Sequence, residues 1–170
     1  SDQGGRLDGV QVMLNRNHLY IGHQFTDGFS VMDASDPRAL KPAKYILTAP
    51  NTSTHHLQVA NDFLLVAEVA NVMAMQGYDD ARSYFENTLA DSITKKVPFR
   101  AGLSIWDIKT DPASPRQIAF LQLPGFGINR LWWTGGRYAY GAAQFAGFTE
   151  PILCILVLQN ITDPDLMSKA

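Results

Sequence analysis

"SVMDASDP", Ser30 to Pro37, has a counterpart in "SIWDIKTDP" from Ser104 and another in "ILVLQNITDP" from Ile155. Each copy is a short apolar run, a polar step and then Asp-Pro. Matched strand-like segments precede each of them. "VQVML", "HLQVA" and "RLWWT" come first, alternating or apolar and rich in β-formers. The turns "NRN", "ND" and "GG" follow, and "HLYIGH", "FLLVAEV" and "RYAYGAA" then read as hairpin partners. The third strand carries the motif: "FSVMDA", "LSIWDI" and "ILCILVL". Asp-Pro ends it, because proline has no N–H to donate and fixes its own φ. A fourth strand, "AKYILTA" or "RQIAFLQL", follows in two copies. A second echo, "HQFTDGFSV" against "AQFAGFTEP", supports the same register.

Removing an insertion of about 30 residues leaves a period of about 45 to 50, the length of a four-stranded propeller blade. The sequence therefore predicts an all-β fold: a β-propeller-like array of about three four-stranded antiparallel blades with one helical insertion. It reads as a single partial propeller domain over residues 1–170. Blade one covers about 8–49, blade two about 54–123 with the helical insertion at 71–99, and blade three about 127–163 without its last strand. A plain β-sandwich is the competing architecture. Propellers typically close with four to eight blades. The ring is expected to be completed by further blades or by a homodimer of three-bladed halves.

The insertion "GYDDARSYFENTLADSITKK" departs from the strand pattern. Asp79 suits a helix cap, Ala81, Phe85, Leu89 and Ile93 recur every four residues, and Pro98 stops the run. A packed helix is expected there, with a lid over a pocket as the functional alternative.

Composition narrows the partners. Lys plus Arg (14) nearly balances Asp plus Glu (16), which removes the electrostatic reason to expect nucleic acid or an anionic membrane. No apolar run reaches the ~18 residues of a spanning helix. The first nine residues are polar and glycine-rich, unlike a signal peptide, and the lack of an initiator Met suggests a processed or truncated start. The single cysteine, Cys154 in "PILCILVL", excludes an internal disulfide and reads as an inert buried thiol.

Candidate chemistry gathers where the first strands open. Gln11, His56 and Asn129 or Arg130 hold equivalent places in the three copies and are expected to converge near the axis as ligand-binding residues. Arg130 suits a carboxylate, which its planar fork can meet with two hydrogen bonds. His56 with His23 and Glu68 fits a divalent transition metal by ligand type, although no HxH or HExxH spacing assembles them. Ser53 lies near His55 and His56, but no GxSxG is present. "GFGINR" precedes a strand rather than a helix, so it is no phosphate cradle.

The segments Ser30-Val31-Met32-Asp33 and Ser104-Ile105-Trp106-Asp107, each ahead of Asp-Pro, resemble the repeat of the LVIVD-repeat propeller family. The third copy departs, with Val157-Leu158-Gln159 in place of the aspartate. The resemblance implies a propeller with more blades and a secreted or cell-surface location, and it carries no agreed activity. A more distant likeness, to selenium-binding and methanethiol-oxidase-like propellers, implies a metal held by channel histidines, but no motif specific to that group is present. The expected function is a β-propeller module that binds a small molecule or protein, of unassigned specificity. The alternative is a metal-assisted enzyme with its site at the channel mouth.

Overall fold

The computed structural model describes residues 8–76, 97–148 and 150–158. The described chain is all-β and antiparallel apart from one short helix. Strands β1 (Gly9–Asn15), β2 (His18–His23), β3 (Phe29–Asp33) and β4 (Lys41–Ile46) form a meander in chain order. The same order recurs in β5 (Thr52–Ala60), β6 (Phe63–Ala70), β7 (Gly102–Asp107) and β8 (Arg116–Gln122). A third meander comprises β9 (Gly127–Trp132), β10 (Tyr138–Gln144) and β11 (Ile152–Val157), and the pairing of Val69 with Gly127 joins it to the second. Helix α1 (Val72–Gln76) starts directly after β6, where Asn71 Oδ1 accepts the Met73 amide at 3.1 Å. The helix expected from Asp79 onward lies outside the described residues, as do Gln159 and the third Asp-Pro.

The recurring motif is turn chemistry. Asp33 Oδ1 accepts the Ser35 amide at 2.8 Å, and Asp107 Oδ1 accepts the Lys109 amide at 2.8 Å, each two residues on. The second aspartate repeats the arrangement: Asp36 accepts from the Arg38 amide and Asp111 from the Ala113 amide. Two successive Asx turns thus carry the chain from third strand to fourth, with proline blocking any continuation of the ladder. Hydrogen bonds from the Ser35 and Thr110 hydroxyls foremost, with the backbone amides adding to them, hold the Asp33 and Asp107 carboxyls below their usual range.

Two cores separate the three meanders. Tyr20, Phe29 and Val31 of the first pack against Leu57, Leu64, Val66 and Trp106 of the second. The Phe29 and Trp106 rings meet edge to face at 5.1 Å. On the other face of the second meander, Leu65, Ala67, Leu103 and Ile105 meet Leu131, Trp133, Ala139 and Leu156 of the third. Side chains alternate faces along a strand. The unbroken apolar run "FLLVA" of β6 therefore supplies both cores, whereas an edge sheet would need only every second position.

Close backbone approach fixes how the meanders meet. A Cβ on Gly22 would lie 2.3 Å from the Thr54 carbonyl, so only glycine lets the end of β2 reach β5. At the opposite end the hairpin turns form a row. Arg16 is ion-paired with Asp62, and Asn61 Nδ2 donates to the Gly135 carbonyl at 2.6 Å. Tyr20 ties the first meander to the second by donating to the Pro112 carbonyl at 2.9 Å, and burial pushes its phenol up to about 12.

Candidate functional site

The first strands of the three meanders lie side by side, β5 touching both β1 and β9. Their openings enclose a cleft of about 390 Å³ lined by Val10, Gln11, Gln24, His55, His56 and Arg130. Gln11, His56 and Arg130 thus come together, one from each meander. Asn129 contributes its backbone at the edge, where its carbonyl accepts from Arg130 Nη1 at 2.7 Å.

Arg130 Nη1 also lies 3.3 Å from His56 Nε2. A guanidinium can only donate, so Nε2 is the acceptor and a neutral His56 keeps its proton on Nδ1. The Leu57 amide donates to Gln11 Oε1 at 2.6 Å, which fixes Gln11 against β5. The His55 and His56 rings meet edge to face at 5.5 Å, and Nδ1 of each is buried without a hydrogen-bond partner. Burial pushes His55 down to about 4, with His56 and Arg130 adding to the shift and the Asn129 carbonyl opposing it. Burial and then Arg130 lower His56 as well. Neutral imidazoles leave Arg130 as the charge of the cleft at pH 7. Among the described residues no carboxylate pairs with it.

A second cleft, of about 300 Å³, lies by the hairpin turns and is lined by Asp62, Asp107, Lys109 and Arg116 among others. Its charges are largely satisfied internally: Asp62 binds Arg16, and Arg116 stands 3.9 Å from Asp107.

His23 and Glu68 do not join His56. His23 is fully buried, with Nδ1 2.9 Å from Asp8 Oδ1 and Nε2 2.8 Å from Ser30 Oγ. Glu68 is fully buried and clasped through both oxygens by Arg100. The two occupy the equivalent place near the end of the second strand of their own meanders, each with its own hydrogen-bonding partner. Among the described residues, no three His, Cys, Asp or Glu side chains are grouped closely enough to hold a metal ion.

Sequence reasoning did not single out Asp8 or Arg100. Asp8 lies one residue before β1 and Arg100 follows the insertion, so neither sits in a strand pattern that would have drawn attention. Burial alone would raise the Asp8 carboxyl, but hydrogen bonds from His23 and from the Phe25 and Thr26 amides outweigh it and hold the carboxyl well below its usual range. Asp8, His23 and Ser30 make the contacts of a hydrolase triad in the same order. Ser30 is only 4% exposed, however, and Asp8 is also occupied by two backbone amides, so the trio locks the start of β1 to the turn after β2. Ser53 is likewise engaged, donating to the Gln24 carbonyl. Cys154 is half-buried, donates to the Gly141 carbonyl at 3.2 Å, and has its thiol pushed up by burial, as an inert thiol should.

No known protein family and no curated protein matches the chain. Among solved structures it is similar to the crystal structure of the N-terminal domain of Nup159, with a TM-score of 0.38 and 13% identity. The match covers 89% of this chain and 31% of that one. A likeness this distant leaves the cleft to carry the functional reading.

Proposed function

We propose that the chain is a β-propeller-type binding module that takes a small carboxylate-bearing ligand in the cleft between β1, β5 and β9. The observation that carries this reading is Arg130, a guanidinium with no carboxylate partner among the described residues, beside His56 and Gln11 from the other two meanders. A planar guanidinium meets a carboxylate with two parallel N–H···O bonds, and a neutral imidazole beside it adds polarity without a competing charge. Repeated meanders, stacked cores and adjacent first strands support the propeller arrangement, in which inner strands surround one rigid central mouth. Binding is favoured over catalysis by the lining itself. Among the described residues it contains no serine, cysteine or carboxylate to share nucleophilic or proton-transfer work with the histidines, and His55 is too weak a base to act near neutrality.

Calorimetric titration with acetate, succinate and citrate, and with succinamide as the uncharged control, tests the reading. At least one carboxylate should bind and succinamide should not. Arg130→Gln should weaken that binding about tenfold or more, since a hydrogen bond to a charged group contributes about 1.5–3 kcal/mol. Equal affinity in the wild type and Arg130→Gln, or no heat from any carboxylate, would contradict it.

A further inference from the structure

One face of the third meander is apolar and open. Trp132, Tyr140, Leu153 and Ile155 share it through the pairings Tyr140 with Trp132, Tyr140 with Ile155 and Ala142 with Leu153. Leu153 is 69% exposed and Ile155 59%, and the Trp132 and Tyr140 rings lie 5.7 Å apart above them. Side chains of this size rarely stand together in water without a purpose.

The pairing registers show what covers such a face elsewhere in the molecule. Leu153 and Ile155 occupy the places of Leu103 and Ile105 in the second meander and of Phe29 and Val31 in the first. Phe29 and Val31 are buried by Leu57, Leu64, Val66 and Trp106, on the rear face of the following meander. Leu103 and Ile105 are buried by Leu131, Trp133, Ala139 and Leu156, again a rear face. A forward face is therefore closed, in both observed cases, by the rear face of the next unit. Each rear face presents apolar residues from its first strand or the residue just past it: Leu57 and Val59 on β5, Leu131 on β9 and Trp133 directly after it.

The corresponding first strand of the first meander is β1, and there Val12 and Leu14 are open, 57% and 63% exposed. Among the described residues, the third meander thus carries an exposed forward face and the first an exposed ridge along β1, while Ile21 and Met32 on the same side of β2 and β3 are buried. We propose that the forward face of the third meander docks the β1 face of a second copy of this chain. Two such contacts related by a twofold axis close a ring of three meanders from each copy, within the range of blade numbers in which propellers close. The contact is head to tail, so each copy uses two different surfaces. It stands independently of the cleft reading.

Sedimentation velocity tests the proposal on the chain as it is. The wild type should sediment as a species of twice the 18.8 kDa chain mass. Val12→Glu and Ile155→Lys, both at exposed positions, should each dimerise at least tenfold more weakly, with unchanged far-UV circular dichroism and melting. An equimolar mixture of the two should regain a dimer. One of its interfaces is then wild type on both sides, and the other sets Glu against Lys. A monomeric wild type would overturn the proposal and leave the face to a different occupant, such as a further sheet or another protein. A fully dimeric Val12→Glu, or a mixture that stays monomeric, would overturn the head-to-tail contact. Should either variant lose its circular dichroism signal, Val12→Thr and Ile155→Ser carry the same expectations in milder form.

Discussion

His23 and Glu68 sit at matching places in successive meanders, fully buried, and each is held by a residue outside its own strand, Glu68 by the charged Arg100. Removing one partner of such a pair strands a charge in a low-dielectric interior. Arg100→Met should therefore cost about 3–5 kcal/mol in urea denaturation, and adding Glu68→Gln should recover a good part of that loss. An unchanged midpoint in Arg100→Met would show that Glu68 is not held as described. His55 gives a pH signature. Its folded-state value near 4 lies below the ordinary 6.5, so above pH 6.5 it is neutral whether folded or unfolded and contributes no pH dependence. Between pH 6.5 and 4 the unfolded chain takes up a proton that the folded chain refuses, and stability falls as pH falls. Below about 4 both states are protonated and the loss levels off. Denaturation at pH 7 and pH 4 should show the wild type losing on the order of 2 kcal/mol more than His55→Gln.

At the scale of elements, the Asp-x-x-Asp-Pro region of the first meander and its counterpart in the second are the same device built twice. Asp107→Ala removes the acceptor for the Lys109 and Thr110 amides. It should cost about 1 kcal/mol, read as a lowered melting temperature. Gly22→Ala should cost more, about 1–3 kcal/mol, because its new Cβ meets the Thr54 carbonyl and pushes β5 away from β2. A Gly22→Ala variant as stable as the wild type would mean that β2 and β5 do not approach as closely as the backbone shows. Strand positions were legible because alternation, hairpin turns and the motif itself are local signals, repeated often enough to confirm one another. Helix α1 was not legible in its place. Its single turn depends on Asn71, which caps it while also donating to the Phe25 carbonyl of another meander at 2.7 Å.

For the molecule as a whole, the sequence revealed equivalence but not partnership. Aligning the first strands placed Gln11, His56 and either Asn129 or Arg130 at matching openings, and the cleft draws its polar lining from those openings. The choice between Asn129 and Arg130 stayed open because the Gly135-Gly136 turn makes the third hairpin longer than the other two and blurs its register. The metal set failed to assemble for a related reason. Matching places in successive meanders repeat around the stack rather than converge, unless they lie on the first strands. Isotope-edited NOE spectra of labelled protein test the convergence of β1, β5 and β9 most directly. Cross-peaks are expected from the His56 ring to the Arg130 side chain and from the Leu57 amide to the Gln11 side chain. A spectrum in which β5 contacts neither β1 nor β9 would contradict the fold and the cleft together.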